Sequence, residues 1–491
     1  MQMKSRLFLL PLLALLLSSC EWPYSSLSSS PASSSSSLGS SLTSSSSSSL
    51  GSSLASSSSS SVSSIESESS VETDDIPYTF QYSSNFFLGE DGKPSIFTCD
   101  LVYNDAYFKT SGTTFIKELA LMSYPSNYAA KTKEECSLFF DTLGYSSFFH
   151  SLDYDTPDSP ETVKFNFAKK KVGDAYIVAA NIYGLTYRLP WVNNFLLGKE
   201  GDAQGFVIGA NKVISSLKEY LAQVPGKPKL WLTGYSRTAA IASLVAREVI
   251  EEGLIEEENM YCYTFEAPAV FDKTTLKPHP SIHNVINRGD IVTYLAPTEF
   301  GFTRAGEDVD TYVSNVDEVL AAFDSRLVLP SFSDPYDIVE DDPSTAKFIL
   351  STLQRKAENP DDPETVPDMA SRAHFVDNGY QDDFRYIIAL VLTLPVKTLI
   401  SIGVSAIKEG LSLLQENGLY NAIKPELDKA NIEYDDTALA NACNHIVAFL
   451  TSYALPLALM MLIPAYASDI IRTFLLHAPE VTFPLLLHYC R

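Results

Sequence analysis

The chain predicts an α/β fold: a mostly parallel sheet with flanking helices, carrying a helical insertion late in the sequence. Three observations lead there. Short runs of apolar β-formers at residues 175–182, 229–234, 261–265 and 285–286 alternate with amphipathic stretches, the pattern of strands joined by crossover helices. The run at 175–182 is nearly all apolar, as suits a strand buried on both faces. Residues 229–253 read as a strand, a very tight turn and a helix, with a serine on the turn.

That stretch organises the rest. Leu230, Trp231, Leu232 and Thr233 form the strand, bounded upstream by Gly226 and Pro228 and ended by Gly234. After Ser236, apolar residues Ala239, Ala240, Ile241, Leu244, Val245, Val249 and Ile250 recur at helical spacing until Gly253 stops the helix. A serine between strand and helix can sit on a strained turn that pushes its Oγ above the sheet edge, where a hydroxyl becomes a nucleophile. The N–H of Arg237, at the helix N-terminus, is placed to stabilise an oxyanion. The motif departs from G-x-S-x-G at Thr238, which puts a β-branched residue where helix and sheet approach closely. Taken alone, Gly-Tyr-Ser-Arg-Thr suits equally a serine capping an ordinary helix.

The N-terminus carries Lys4 and Arg6, an apolar run over residues 7–17, then Leu17-Ser18-Ser19-Cys20. This reads as a bacterial lipoprotein signal over residues 1–20, with Cys20 the residue that receives the lipid; a plain secretory signal is the alternative. Residues 21–75 are serine-rich, and Ser-Leu-Gly-Ser-Ser-Leu occurs at both 37–42 and 49–54. Such a segment has too little apolar surface to offset its ordering entropy and predicts a disordered tether, with a reach of roughly 40 Å for about 50 flexible residues.

From Ile76 the sequence is aromatic-rich and long enough for one large domain with an insertion, or for two smaller ones. A formal charge of −25 argues against nucleic acid and against electrostatic binding to anionic lipid. Beyond Cys20, the cysteines are Cys99, Cys136, Cys262, Cys443 and Cys490, widely spaced and odd in number; they support neither a disulfide scaffold nor a zinc site, although one bridge is compatible with them. H-E-x-x-H, P-loop and G-x-G-x-x-G patterns are absent from the sequence.

Residues 78–108 read as strands with a turn at Glu90-Asp91-Gly92. Phe115, Ile116, Leu119 and Met122 predict one helix, and Cys136, Phe139, Phe140 and Leu143 another. The strand at 175–182 ends in Tyr183-Gly184-Leu185-Thr186, a loop at the carboxyl edge of the sheet, where α/β ligand sites lie and where a second oxyanion N–H is available. Phe206, Ala210, Val213, Ile214, Leu217 and Leu221 make the next helix. The strand at 285–286 leads into Asn287-Arg288-Gly289-Asp290, so Asp290 falls at a strand's carboxyl end, downstream of the serine, as a triad acid does in this architecture. An aspartate in a turn is by itself usually just solvated.

The base must be a histidine. In the chain order Ser, Asp, His, four of the seven qualify: His374, His445, His477 and His488. His374 sits at the start of a predicted helix, His445 opens an apolar helix in a core or capping position, and His477 lies in a break before Ala478-Pro479-Glu480.

The series Thr233-Gly234-Tyr235-Ser236-Arg237, Asn287-Arg288-Gly289-Asp290-Ile291-Val292 and His477-Ala478-Pro479-Glu480 resembles the class 3 (fungal-type) lipase family, in particular its bacterial lipoprotein-like members. Trp191-Val192-Asn193-Asn194-Phe195 and Gly205-Phe206 also look like family landmarks. The resemblance implies an α/β-hydrolase-type core at 76–310, a helical insertion or lid at 311–470, and a C-terminal segment, 471–491, completing the core. It selects His477 as the base, with Ser236 as nucleophile, Asp290 as the acid, and the N–H groups of Arg237 and Leu185 holding the oxyanion. Acyl transfer of this kind needs no metal or organic cofactor. The chain departs from the family at Thr238 for glycine, Tyr183 for arginine and Ala203 for histidine.

Two classes of function follow. One is an extracellular, membrane-anchored hydrolase of lipid or other acyl esters. The other, motivated by the imperfect elbow, is a non-catalytic lipoprotein whose hydrolase fold binds an apolar ligand or partner. Residues 446–467 form a charge-free run long enough to span a bilayer, though Pro456 and Pro464 interrupt it; 386–407 is a second apolar stretch, broken by Pro395 and Lys397. Crossing by the first run would separate Ser236 from His477, so the expectation is a buried or lid-like helical hairpin over an acyl pocket. The sequence leaves the oligomeric state open.

Overall fold

The computed structural model describes residues 75–88, 94–184, 189–294, 300–327, 372–394, 415–452 and 475–491, with a few single positions between them. Cys20, the serine-rich linker, the turn expected at 90–92, Leu185 and most of the run at 446–467 lie outside these residues.

Strands β1 (Ile76–Leu88) and β2 (Pro94–Tyr103) pair antiparallel as a separate ladder, Phe80 opposite Cys99. Helix α1 (Lys117–Ala129) follows, one to two residues later than its apolar stripe suggests, with Ile116 as N-cap. Helix α2 (Lys133–Thr142) has its first turn held by the Thr132 hydroxyl, which accepts from Glu135 N at 3.0 Å, and by Glu134 and Glu135 against the helix dipole.

The chain then enters a seven-stranded sheet. Its members are β3 (Ser146–His150), β4 (Phe165–Val172), β5 (Ala175–Ile182), β6 (Lys229–Tyr235), β7 (Met260–Phe265), β9 (Ile282–Ile286) and β11 (Glu307–Asp310), in the spatial order β11-β9-β7-β6-β5-β4-β3. The five strands from β5 to β11 run parallel, and β4 and β3 are antiparallel additions at one edge. Between these strands, α3 (Gln204–Leu221) precedes β6, α4 (Arg237–Glu251) follows it, and β8 (Phe271–Asp272) pairs with β10 (Phe302–Thr303) outside the main sheet.

Burial alternates along the central strands. In β6, Trp231 and Tyr235 pack on one face with Tyr261, Tyr263 and Phe265 of β7, while Leu230 and Leu232 face the other way with Met260 and Cys262. The first face is covered by β1, β2, α1 and α2; the second by α3 and α4. Both faces being dry explains why the sequence of these strands is largely apolar. The indole N–H of Trp231 is satisfied by Ser123 Oγ at 2.7 Å.

The packed core continues past residue 310. Helix α5 (Val316–Phe323) places Val316, Val319 and Leu320 in the same cluster as the last helix. Helices α6 (Arg372–Asp377), α7 (Tyr380–Thr393), α8 (Gly418–Lys429) and α9 (Asp436–Ser452) form the described part of the insertion. Their apolar residues, among them Ile388, Leu392, Ile423, Leu427 and Leu439, pack on Trp191 and Val192 of the 3-10 turn Leu189–Phe195. Helix α10 (Pro479–Cys490) is buried almost all round, with Pro479 in its first turn, where a missing N–H costs nothing. Among the described residues no helix is long and apolar enough to cross a membrane.

Candidate active site

Ser236 stands on the turn between β6 and α4, at the carboxyl end of the middle strand of the sheet. Its φ of 54° and ψ of −125° lie in a region that residues other than glycine rarely adopt, a strain of about 1–3 kcal/mol. The surroundings enforce it. Ser236 N donates to Phe265 O at the end of β7 (2.8 Å), and Ala239 N returns to Ser236 O (3.0 Å). The turn also needs glycine at 234, since a Cβ there would lie 2.2 Å from the Thr238 carbonyl oxygen.

Thr238, expected to crowd this junction, fits it. Its hydroxyl lies 2.9 Å from Ile182 O and 3.0 Å from Tyr235 O as a donor, and accepts from Tyr235 N at 3.1 Å. The space comes from Gly184, whose Cβ, if present, would sit 2.2 Å from Thr238 Oγ1 and 2.1 Å from Tyr235 O. The expected steric cost is therefore corrected: the glycine that relieves this junction stands on the neighbouring strand's loop.

Asp290 and His477 converge on Ser236. Asp290 follows β9 in a turn closed by its own N–H to Asn287 O (2.8 Å), and the carboxylate is fully buried. Oδ1 accepts from Val292 N at 2.8 Å; Oδ2 lies 2.6 Å from His477 Nδ1. His477 Nε2 lies 2.8 Å from Ser236 Oγ. With the proton on Nδ1 donated to Asp290, Nε2 is left to accept from the serine hydroxyl. Ser236 and His477 each keep only 7 % exposure, so the chain of bonds is shielded from water except at its outer end. The break before α10 presents the imidazole, and Tyr235 OH fixes that break by donating to His477 O at 2.5 Å.

The other candidates are elsewhere. His374 is in α6, and His445 in α9 bonds Asp383 of α7 with its ring 4.9 Å from that of Tyr380, a tie between insertion helices. Arg237, whose N–H opens α4, buries its guanidinium: it donates to Asn194 Oδ1 (2.7 Å) and Gly205 O (3.0 Å) and lies over the Phe206 ring at 4.9 Å. The landmark residues at 194, 205 and 206 thus all hold Arg237. Tyr183, at the end of β5, is buried, and Ala203 caps α3 with its N–H on Val270 O at 2.9 Å. All five later cysteines are free thiols. A cleft of about 480 Å³ opens beside α3 and α4, lined by Asp202, Asn211 and Arg247 among others; its lining includes none of Ser236, Asp290 and His477.

Sequence reasoning missed two groups beside the triad positions. Thr482 on α10 shares hydrogen bonds with Tyr235 OH (3.2 Å) and Glu266 Oε1 (3.1 Å). Glu266, directly after β7, is fully buried with φ of 52°. A carboxylate ending an apolar strand at the same sheet edge as Asp290 was the available signal.

The sheet order, the strained serine turn and the acid and histidine on later loops define an α/β-hydrolase fold. In comparison with known proteins, residues 162–300 match the family described as lipase (class 3). A lipase of Rhizomucor miehei is 32 % identical over 104 residues, which is 20 % of this chain and 28 % of the relative, so the chain matches under a third of that relative's length. Similar solved structures include the lipase of Rhizopus microsporus var. chinensis (17 % identity, TM-score 0.30, covering 42 % of this chain and 75 % of that one). Another is the Rhizomucor miehei lipase in complex with its propeptide (18 % identity, TM-score 0.28, covering 39 % and 66 %).

Proposed function

We propose that the protein is a serine ester hydrolase that cleaves carboxylic esters of lipid-like acyl substrates. The observation that carries this reading is the hydrogen-bond chain from Ser236 Oγ through His477 to the buried Asp290 carboxylate. In the reaction, Ser236 Oγ attacks the ester carbonyl carbon while His477 Nε2 takes its proton. Asp290 holds the imidazole in the required tautomer and stabilises the imidazolium that forms. The Arg237 N–H, and that of Leu185, stabilise the tetrahedral oxyanion. His477 then protonates the departing alcohol, and water, activated by the same nitrogen, releases the acid from the acyl-enzyme.

The lipase (class 3) match and the apolar character of the insertion favour acyl chains as substrates, with the insertion acting as a lid over the acyl site. Cys20 would carry the lipid that anchors the protein to a bacterial membrane, on the outer side, with residues 21–75 as the tether. The non-catalytic alternative was motivated by Thr238, whose hydroxyl is fully accommodated, so no observation now favours it. A p-nitrophenyl ester series and a fluorophosphonate probe, applied to the native protein and Ser236→Ala, test the reading. Turnover and labelling that vanish in the variant support it; their absence from the native, folded protein overturns it.

A further inference from the structure

We propose that Glu266 is a positioning residue for Asp290: a neutral carboxylic acid that donates a hydrogen bond to the Asp290 carboxylate and fixes the face it turns to His477. The proposal rests on the reading of Ser236, His477 and Asp290 as the reacting groups.

The geometry points to this role. Glu266 follows β7 directly, one residue beyond the carbonyl that holds Ser236 N, and its own N–H is tied to Val285 O at 2.9 Å. Its side chain is fully buried. Oε2 accepts from Asn287 N at 3.0 Å and Oε1 from the Thr482 hydroxyl at 3.1 Å, and the charged group that acts most strongly on the carboxyl is Asp290. Asn287 O in turn receives Asp290 N at 2.8 Å, so the two acids are braced by one residue.

Two neighbouring carboxyl groups buried away from water are not both ionised. Asp290 is the one favoured as the anion, because it accepts from Val292 N and faces His477 Nδ1, the group that gains positive charge during the reaction. Glu266 has no cation against it among the described residues. The ionisable groups around it are Asp290, His477, Tyr235 of β6, Tyr124 of α1 and Glu480 of α10, which offer no competing positive charge except the imidazole beyond Asp290. Burial first, and the Asp290 charge second, drive its carboxyl well above the ordinary range. The proton therefore sits on Glu266 and is shared with Asp290, whose remaining lone pairs are thereby directed.

The backbone supports the same conclusion. A φ of 52° favours glycine, and glycine would make this turn without strain or a buried acid. What the position gains from glutamate is the carboxyl itself.

The test uses the full chain with Glu266→Gln, which keeps a donor toward Asp290 and an acceptor for only one of Asn287 N and the Thr482 hydroxyl, and Glu266→Leu, which keeps none of these. Glu266→Gln should hold kcat within about 3-fold, while Glu266→Leu should lose kcat by on the order of 10- to 100-fold with KM nearly unchanged. Infrared difference spectra at neutral pH, native against Glu266→Gln, should show a protonated-carboxyl C=O band in the native protein alone. Native kcat in Glu266→Leu, a folded Glu266→Gln as inactive as Glu266→Leu, or the lack of that band would each overturn the proposal. Should the native protein hydrolyse no ester, the proposed function fails, while the infrared band still decides whether Glu266 holds the proton against Asp290. Should Glu266→Leu not fold, Glu266→Gln and the spectrum decide it.

Discussion

Replacing Thr238 by glycine, which would restore the G-x-S-x-G pattern, should weaken the protein. The hydroxyl of Thr238 accepts from Tyr235 N and donates to Ile182 O or Tyr235 O, so about two buried hydrogen bonds are lost, worth roughly 1–3 kcal/mol net. Ile182 O keeps its bond from Asn127 Nδ2 at 2.6 Å, which spares it the larger penalty of an orphaned carbonyl. A glycine in the first turn of α4 adds up to about 1 kcal/mol. The total is about 1–4 kcal/mol. For roughly 320 described residues, an unfolding entropy near 2.1 cal/mol/K per residue converts this into a Tm lower by about 2–6 °C. Calorimetric scans of the native protein, Thr238→Gly and Thr238→Ser measure it, with Thr238→Ser, which keeps the hydroxyl, staying within about 1 °C of native. A Thr238→Gly protein as stable as native, or a Thr238→Ser protein equally destabilised, would refute the hydrogen-bond account of this junction.

Three further predictions concern other parts of the molecule. Since the folded pKa of Glu266 is raised, the unfolded chain loses that proton first as pH rises, so stability present below the ordinary glutamate range declines toward the folded value; the Tm of Glu266→Gln relative to native should grow between pH 5 and 8, and a constant difference would contradict the buried neutral acid. The four buried thiols and the half-buried Cys490 are held protonated, with Cys443 and Cys490 pushed up to about 12, so Ellman's reagent should react slowly with the native protein, should reach Cys99, Cys136, Cys262, Cys443 and Cys490 in denaturant without reductant, and reductant should leave Tm unchanged. Shortening the insertion between α7 and α9 should shift the preferred acyl chain length in an ester series; an unchanged profile would remove the lid role.

Much of this site could be read from residues in order. The central strands announce themselves because both faces are dry, and the serine turn because Gly234 and the small residues of α4 are needed for close packing. Asp290 was legible as a strand-end acid downstream of the serine, whereas chain order left four histidines and the resemblance, with the helix break at 477, singled out His477. Strands β3, β4 and β11 were not legible: β4 carries Lys169-Lys170-Lys171, β11 reads Glu-Asp-Val-Asp, and β3 is largely exposed at the sheet edge, so none has a buried face along its whole length to pattern the sequence. Thr238 was misjudged because the compensating glycine, Gly184, is distant in sequence and meets it only across the sheet edge. Glu266 and Thr482 escaped for a similar reason, being joined to Asp290 and Tyr235 by contacts between β7, β9 and α10 that no local pattern records.

The most direct test of the central claim is ester hydrolysis by the native protein beside Ser236→Ala, Asp290→Asn, His477→Ala and His374→Ala, each checked for folding. The account predicts turnover by the native protein and His374→Ala, loss by on the order of 10⁶-fold in Ser236→Ala and His477→Ala, and by about 10⁴-fold in Asp290→Asn. Turnover that survives in a folded Ser236→Ala or His477→Ala protein, or that disappears in His374→Ala, would contradict it.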